Sequence, residues 1–211
     1  MSNVVLYSFR RCPYAIAARI SMALSKTNYF HREISLKDKP AELLNLSPKG
    51  TVPVLVMGDI VIDESADIVN LMSRRADIPV YSDREGKGLI EKLLQSFLPA
   101  MHKYKYEYLA SPDERLMAMA QITQILSEWN DKLHQSKFIL RDEMSDCDIR
   151  MYPLIWQCQK IDPIWFQEQN LAALNRWMLF WREFLETTDI MRKFPLWDNQ
   201  SQGDWVVNDH R

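Results

Sequence analysis

The chain is poor in the features that would carry it out of the cytosol or hold it together covalently. Only three of its 211 residues are cysteines, Cys12, Cys147 and Cys158. An odd set without paired spacing or a nearby histidine cluster indicates neither a disulfide framework nor a structural metal. No hydrophobic run approaches the roughly twenty residues of a membrane span, and the apolar stretch before Arg10 and Arg11 is too short for a signal-peptide core. A cytoplasmic protein is expected, with no membrane partner. Charge of one sign is lacking too: 26 Lys and Arg stand against 28 Asp and Glu, for a net charge of −2. Such a balance gives no basic face, so nucleic acid is not an expected partner. Internal repeats and low-complexity tracts are missing. What remains, 47% hydrophobic and 26% charged residues, suits one large or two smaller globular domains.

The first part of the chain alternates strand-like and helix-like patterns. Val4 to Phe9 reads as extended, Pro13 to Lys26 as helical and Tyr29 to Ser35 as extended again, a βαβ unit. A short helix over Lys39 to Leu46 leads into the turn Ser47-Pro48-Lys49-Gly50. Thr51 to Met57 is then a strand containing a proline, Gly58-Asp59 a tight hairpin turn, and Ile60 to Ile62 the returning strand. Glu64 to Arg75 carries Ile68, Val69, Leu71 and Met72 on one helical face. The run Asp77 to Asp83 breaks the periodicity, and everything beyond reads as helical: Gly86 to Leu109, Pro112 to Lys137, Ser145 to Lys160 and Leu171 to Glu186, joined by short polar loops as in a bundle. Ser145 and Asp148 form an acidic capping box that starts a helix. Residues 199 to 211 read as a loosely held tail around Trp205. The expected division is a domain over 1–78 and a helical domain over 84–211.

Chemistry concentrates at Cys12, where a strand hands over to a helix. Proline is favoured at the first helical position, so Pro13 makes Cys12 the N-cap, with the amides of Tyr14 and Ala15 free to donate to its sulfur. Those amides, the positive end of the helix dipole, and Arg10 or Arg11 if either turns back, would stabilise a thiolate. A dithiol motif would place a second cysteine at position 15, but Ala15 stands there. Cys12 therefore needs an external thiol to resolve its adducts, and glutathione is the abundant small one in a reducing cytosol. The alternative for Cys12 is a small buried hydrophobe.

Pro53 lies inside a strand, from which proline is normally excluded. A cis Val52-Pro53 bond would leave the backbone edge of Val52 facing the Cys12 helix, ready to pair with an extended peptide; a trans proline on an edge strand is the other reading. Asp63-Glu64-Ser65 opens a helix. The Ser65 and Ala66 amides and the Ser65 hydroxyl could hold a carboxylate, and Glu64 an amine, matching the zwitterionic end of a γ-glutamyl group. Taken alone, Asp63 or Ser65 is simply an N-cap.

Together, Cys12-Pro13-Tyr14-Ala15, Leu36 to Pro40, Pro48 to Leu55 and Ile62 to Ile68 closely resemble the glutathione transferase superfamily, nearest to its cysteine-type, omega-like members. Ser145 to Asp148 extends the likeness to the family's helical domain. The resemblance implies a thioredoxin-like N-terminal domain followed by an all-helical C-terminal domain, α/β plus all-α, with glutathione as co-substrate and no metal. It implies that Cys12 forms a mixed disulfide with glutathione or holds its thiol nearby, and that Tyr14, Lys39, Thr51, Val52, Pro53, Glu64 and Ser65 line the tripeptide's site. A two-fold homodimer is implied as well. The second substrate, small and hydrophobic or a disulfide, would sit against aromatics of the helical domain: His102, Lys103, Tyr104, Tyr106, Tyr108, Tyr152 and Trp156 are the candidates, though most of them read better as core or interface packing.

The activity this favours is a glutathione-dependent thiol transferase or reductase of the dehydroascorbate-reductase kind. Two alternatives stay open: conjugation of glutathione to electrophiles, and a non-catalytic module that binds the transcription machinery, as some members of the superfamily do. Tyr7 lies within the first strand and reads as packing.

Overall fold

The computed structural model describes residues 4–106 and 110–208. They form two compact units, one of Met1–Ile78 with Glu183–Arg211, the other of Pro79–Arg182.

The first unit is built on a mixed five-stranded sheet of order β4-β3-β1-β2-β5. Strands β1 (Val4–Ser8) and β2 (Tyr29–Glu33) are parallel and joined by helix α1 (Pro13–Leu24), the βαβ unit that the periodicity predicts. Strand β3 (Val54–Met57) runs antiparallel to β1, and the turn at Gly58 and Asp59 returns it as β4 (Ile60–Ile62). One face of the sheet buries Leu6, Tyr29 and Leu55 against Ala18 and Met22 of α1 and Ile68 and Met72 of α3 (Ser65–Arg75). The opposite face buries Tyr7 and Val54 with Leu43 of α2 (Ala41–Leu46) and Val52, and Cys12 packs against this cluster. The thiol is thus placed by the sheet's second core.

Tyr7 packs as expected and also makes polar contacts. Its ring is fully buried against Trp197, and its hydroxyl donates to Glu42 at 2.6 Å while accepting from Arg32.

The C-terminal segment departs from the expected loose tail, and from its expected grouping with the helices. Asp204–Val206 forms β5, antiparallel to β2. Trp205 packs on Phe30 with ring centres 4.7 Å apart, and Asn208 is buried, its side-chain amide donating to the Thr27 carbonyl at 2.7 Å. Gly203 makes the approach possible: its φ is +104°, and a Cβ there would lie 2.6 Å from the His31 carbonyl oxygen. The polar composition of 199–211 hid this strand, because an edge strand needs few apolar residues.

His31 lies fully buried on β2 beneath that segment. Its ring stacks on Phe194 at 3.8 Å and shares a 3.0 Å hydrogen bond with Glu33. Burial lowers its pKa, against the pull of Glu33 and Asp204 and together with Arg19. An unfolded histidine takes up its proton near pH 6.5 while the folded ring does not. Folding stability is therefore expected to fall as pH drops below that value, by at most about 1.4 kcal/mol per pH unit, until the folded ring itself titrates. His31→Gln should flatten the slope in urea titrations between about pH 5 and pH 7; an unchanged slope would place its origin elsewhere.

The second unit is helical, and among its described residues no helix is long and apolar enough to cross a membrane. The expected long helix from Gly86 is α4 (Arg84–Lys92) continued through a π-helical turn at Leu93–Phe97 into α5 (Leu98–Lys105). Pro99, which has no amide hydrogen to give, sits where that ladder is rewritten. Helix α6 (Pro112–Gln135) starts on a Ser111–Glu114 capping box that the sequence reading passed over. Helix α7 (Asp146–Ile161) starts on the expected Ser145–Asp148 box, α8 (Pro163–Glu168) is an additional short helix capped by Asp162, and α9 (Ala172–Thr187) follows.

Candidate functional site

Every sequence-predicted residue of the thiol site lies in the first unit. Cys12 is the N-cap of α1 with extended backbone, φ −75° and ψ 119°, and Pro13 is the first helical residue. The Val52-Pro53 bond is cis. The chain there brings the Val52 carbonyl to the cysteine, whose Sγ donates to it at 3.6 Å. The two features read independently from sequence, a cysteine at a helix start and a proline inside a strand, meet at this contact.

Opposing influences act on the thiol. Burial pushes the pKa of Cys12 up; the amides of Ala15 and Tyr14 pull it down, followed by the charge of Arg19, but less strongly. The amides face the sulfur without closing a capping hydrogen bond. Neither flanking arginine assists. Arg10 donates through Nε to the Met191 carbonyl at 3.3 Å, and the Arg11 guanidinium lies 5.6 Å from the centre of the Phe9 ring. The cation that does act on the sulfur is Arg19, on α1 and fully buried. Sequence reading missed it because an arginine in an amphipathic helix is normally solvent-facing. Its only signal was the spacing: seven residues from Cys12 puts it two turns on along the same face.

Tyr14 is 37% exposed, and burial followed by the neighbouring Cys12 raises its pKa. Glu64 is the N-cap of α3 and Ser65 its first residue, so the helix N-terminus opens at these two side chains. Glu64 is not free: Lys49 reaches its carboxylate at 2.5 Å and Asp63 at 3.1 Å. Asp63 also accepts from the buried Ser47 hydroxyl at 2.7 Å, and the Ser47 and Lys49 contacts hold its carboxyl below the usual range. An ammonium thus already occupies the place assigned to a ligand amine, a role for Lys49 not foreseen. Gly50 has φ +59°, and a Cβ on it would lie 3.3 Å from the Lys39 Nζ, so the Lys39 side chain runs over the turn that leads into Thr51, which is exposed.

The described aromatics proposed for a second substrate have these contacts. Tyr104 donates to Asp162 at 3.1 Å, its pKa pushed up to about 12 by burial and that carboxylate. His102 and Tyr106 pair with ring centres 6.0 Å apart. Tyr152 is fully buried, stacked on Trp156 at 5.9 Å and on Trp181 at 5.5 Å. Tyr152 and Trp156 line a cavity of about 480 Å³ between α7, α8 and α9, with the Lys160 ammonium 3.7 Å from the centre of the Trp156 ring. Tyr108 lies outside the described residues.

A thioredoxin-like sheet domain with a cysteine at the start of its first helix and a cis-proline opposite, followed by a helical region, defines the glutathione transferase fold. Comparison with known proteins agrees. Residues 6–80 match the family described as Glutathione S-transferase, N-terminal domain. A stringent starvation protein A homolog from Histophilus somni is 25% identical over 171 residues, covering 78% of this chain and 79% of that protein. Among solved structures, a Tau class glutathione S-transferase from mango, Mangifera indica, superposes with a TM-score of 0.76 at 21% identity, covering 90% of this chain and 93% of that one. A glutathione transferase family member from Pseudomonas fluorescens, solved with two glutathione bound, superposes with a TM-score of 0.70 at 14% identity over 85% of this chain and 88% of that one. The chain has the glutathione transferase fold.

Proposed function

We propose that this protein is a glutathione-dependent thiol transferase of the cysteine type, cytoplasmic and homodimeric. The observation that carries the reading is the contact of the Cys12 thiol with the backbone of Val52 beside the cis-proline. An extended peptide paired with that backbone would present its own sulfur to Cys12. The Ser65 end of α3 suits the carboxylate of a γ-glutamyl group, whose amine would displace Lys49 from Glu64, and Lys39 suits the glycyl carboxylate.

In the reaction, the Cys12 thiolate attacks the glutathionyl sulfur of a mixed disulfide. The Cys12–glutathione bond forms as the original S–S bond breaks, and the departing thiolate takes a proton from solvent. The thiolate of a second glutathione then attacks the glutathionyl sulfur on Cys12, giving oxidised glutathione and restoring the Cys12 thiolate. With alanine at position 15, no internal thiol competes for that step.

The test is the intact mass of the protein after treatment with oxidised glutathione. One glutathionyl adduct on the wild type, removed by excess glutathione and missing from Cys12→Ser, is expected. A folded protein that takes no adduct overturns the reading. The similarity to a stringent starvation protein A homolog favours a second reading, a binding module for the transcription machinery; recovery of RNA polymerase by the immobilised protein without any glutathione binding would establish it instead.

A further inference from the structure

Arg19 is fully buried, and its guanidinium makes three hydrogen bonds, all to backbone carbonyls. Nη2 donates to Arg10 at 2.8 Å, Nη1 to Ile190 at 3.0 Å and Nε to Ala15 at 3.4 Å. Among the described residues no carboxylate forms an ion pair with it. Neutral carbonyls satisfy its N–H groups, and its buried charge is met at longer range by the Glu33 carboxylate of β2 and by Cys12.

The ionisable groups around it narrow the choice. From β2 come Tyr29, His31 and Glu33; from the loop after β1, Arg10 and Cys12; from the segment after α9, Asp189 and Arg192 act on Tyr29. Glu33 is the standing negative charge, its carboxylate accepting from the Arg10 amide at 2.7 Å and sharing the hydrogen bond with His31, and its charge does not change in the reaction. Tyr29 is buried, with its pKa raised by that burial. Cys12 remains the group that gains a full negative charge during reaction.

The three anchors also fix the thiol in space. Arg10 lies two residues before Cys12 and Ala15 three after, so the guanidinium spans both sides of the strand-to-helix turn. Ile190 belongs to the segment between α9 and β5, which is thereby fastened to the same loop. We propose that Arg19 is a positioning residue for Cys12: a cation pinned by the carbonyls of Arg10, Ala15 and Ile190 that holds the turn and stabilises the thiolate as it forms. A charge held in place beforehand needs no reorganisation when the sulfur ionises. The proposal rests on reading Cys12 as the nucleophile.

The test is the pH dependence of Cys12 alkylation by iodoacetamide, followed by intact mass with peptide mapping to set aside Cys147 and Cys158, in the wild type, Arg19→Gln and Arg19→Lys. Arg19→Gln is expected to move the midpoint up by about one pH unit, a tenfold slower reaction near neutrality. Arg19→Lys, which keeps the charge but cannot bridge the carbonyls as a fork, is expected to slow it about threefold. A purely structural role would alter only the plateau at high pH, where the thiol is fully ionised. Unmoved midpoints overturn the proposal, and should the glutamine variant not fold, the lysine variant decides by the same criterion. Because alkylation needs no glutathione, a failure of the thiol-transferase reading shows separately, as a missing glutathionyl adduct on a protein whose midpoint still responds to Arg19.

Discussion

Cys12→Ser is expected to lower the turnover of a glutathione mixed disulfide by on the order of a thousandfold or more, with glutathione affinity changed less than about threefold. The asymmetry follows from the site. A serine hydroxyl does not ionise near neutral pH and is a poor nucleophile toward sulfur, yet it fits the space of the thiol and can still donate to the Val52 carbonyl, as Sγ does now at 3.6 Å. The groups assigned to glutathione itself, Lys39, Val52, Glu64 and Ser65, are untouched by the change. The wild-type rate should rise with pH through and beyond neutrality, because burial raises the pKa of Cys12 and the thiolate fraction grows tenfold per unit below it. A serine variant that keeps the rate within about tenfold would mean that the sulfur of bound glutathione is the nucleophile, and would replace thiol exchange by conjugation.

What could be read in the sequence is what local rules determine. Alternation in Val4 to Ser8 and Tyr29 to Glu33, proline at the start of α1 and the Gly58 turn each act over a few residues, and the sheet built from them follows the reading closely. Cys12 and the Val52-Pro53 bond were legible as partners because a cysteine at a helix start and a proline inside a strand each have a chemical use. The features that escaped depend on contacts far apart in sequence. Arg19 is buried by carbonyls at Arg10 and Ile190, the second 171 residues away. The β5 strand exists because β2 had an open edge and Gly203 could approach it, and neither fact is local to the polar tail. Lys49 sits in a turn motif whose glycine and proline drew the attention, while its ammonium reaches 15 residues on to Glu64. The balance at the thiol has a related origin: the helix amides are a local property, whereas the burial that raises the Cys12 pKa is set by the whole second core of the sheet.

Asp148→Ala is expected to destabilise the helical unit by about 3–5 kcal/mol, among the largest effects of any single substitution outside the thiol site. The carboxylate is fully buried at the third position of α7 and collects four donors. Oδ2 accepts from the Ser145 amide at 3.0 Å and its hydroxyl at 2.7 Å; Oδ1 accepts from the Ile139 amide and the Trp177 indole, both at 2.9 Å. The box is thus more than a helix start. It fastens the loop before α7 at Ile139 and the middle of α9 at Trp177, while the neighbouring Asp146 receives the Tyr81 amide at 2.9 Å. Alanine would leave buried N–H groups of Ser145, Ile139 and Trp177 without acceptors, and that desolvation, more than the lost bonds, makes the substitution costly. Asp148→Asn, which keeps one carbonyl oxygen but turns an NH₂ toward donors, should lose about half as much, and Trp177→Phe about 1 kcal/mol. Urea midpoints of the three variants decide it. A loss below about 1 kcal/mol in Asp148→Ala would mean that water takes up the orphaned donors and that the start of α7 is held by its apolar contacts alone.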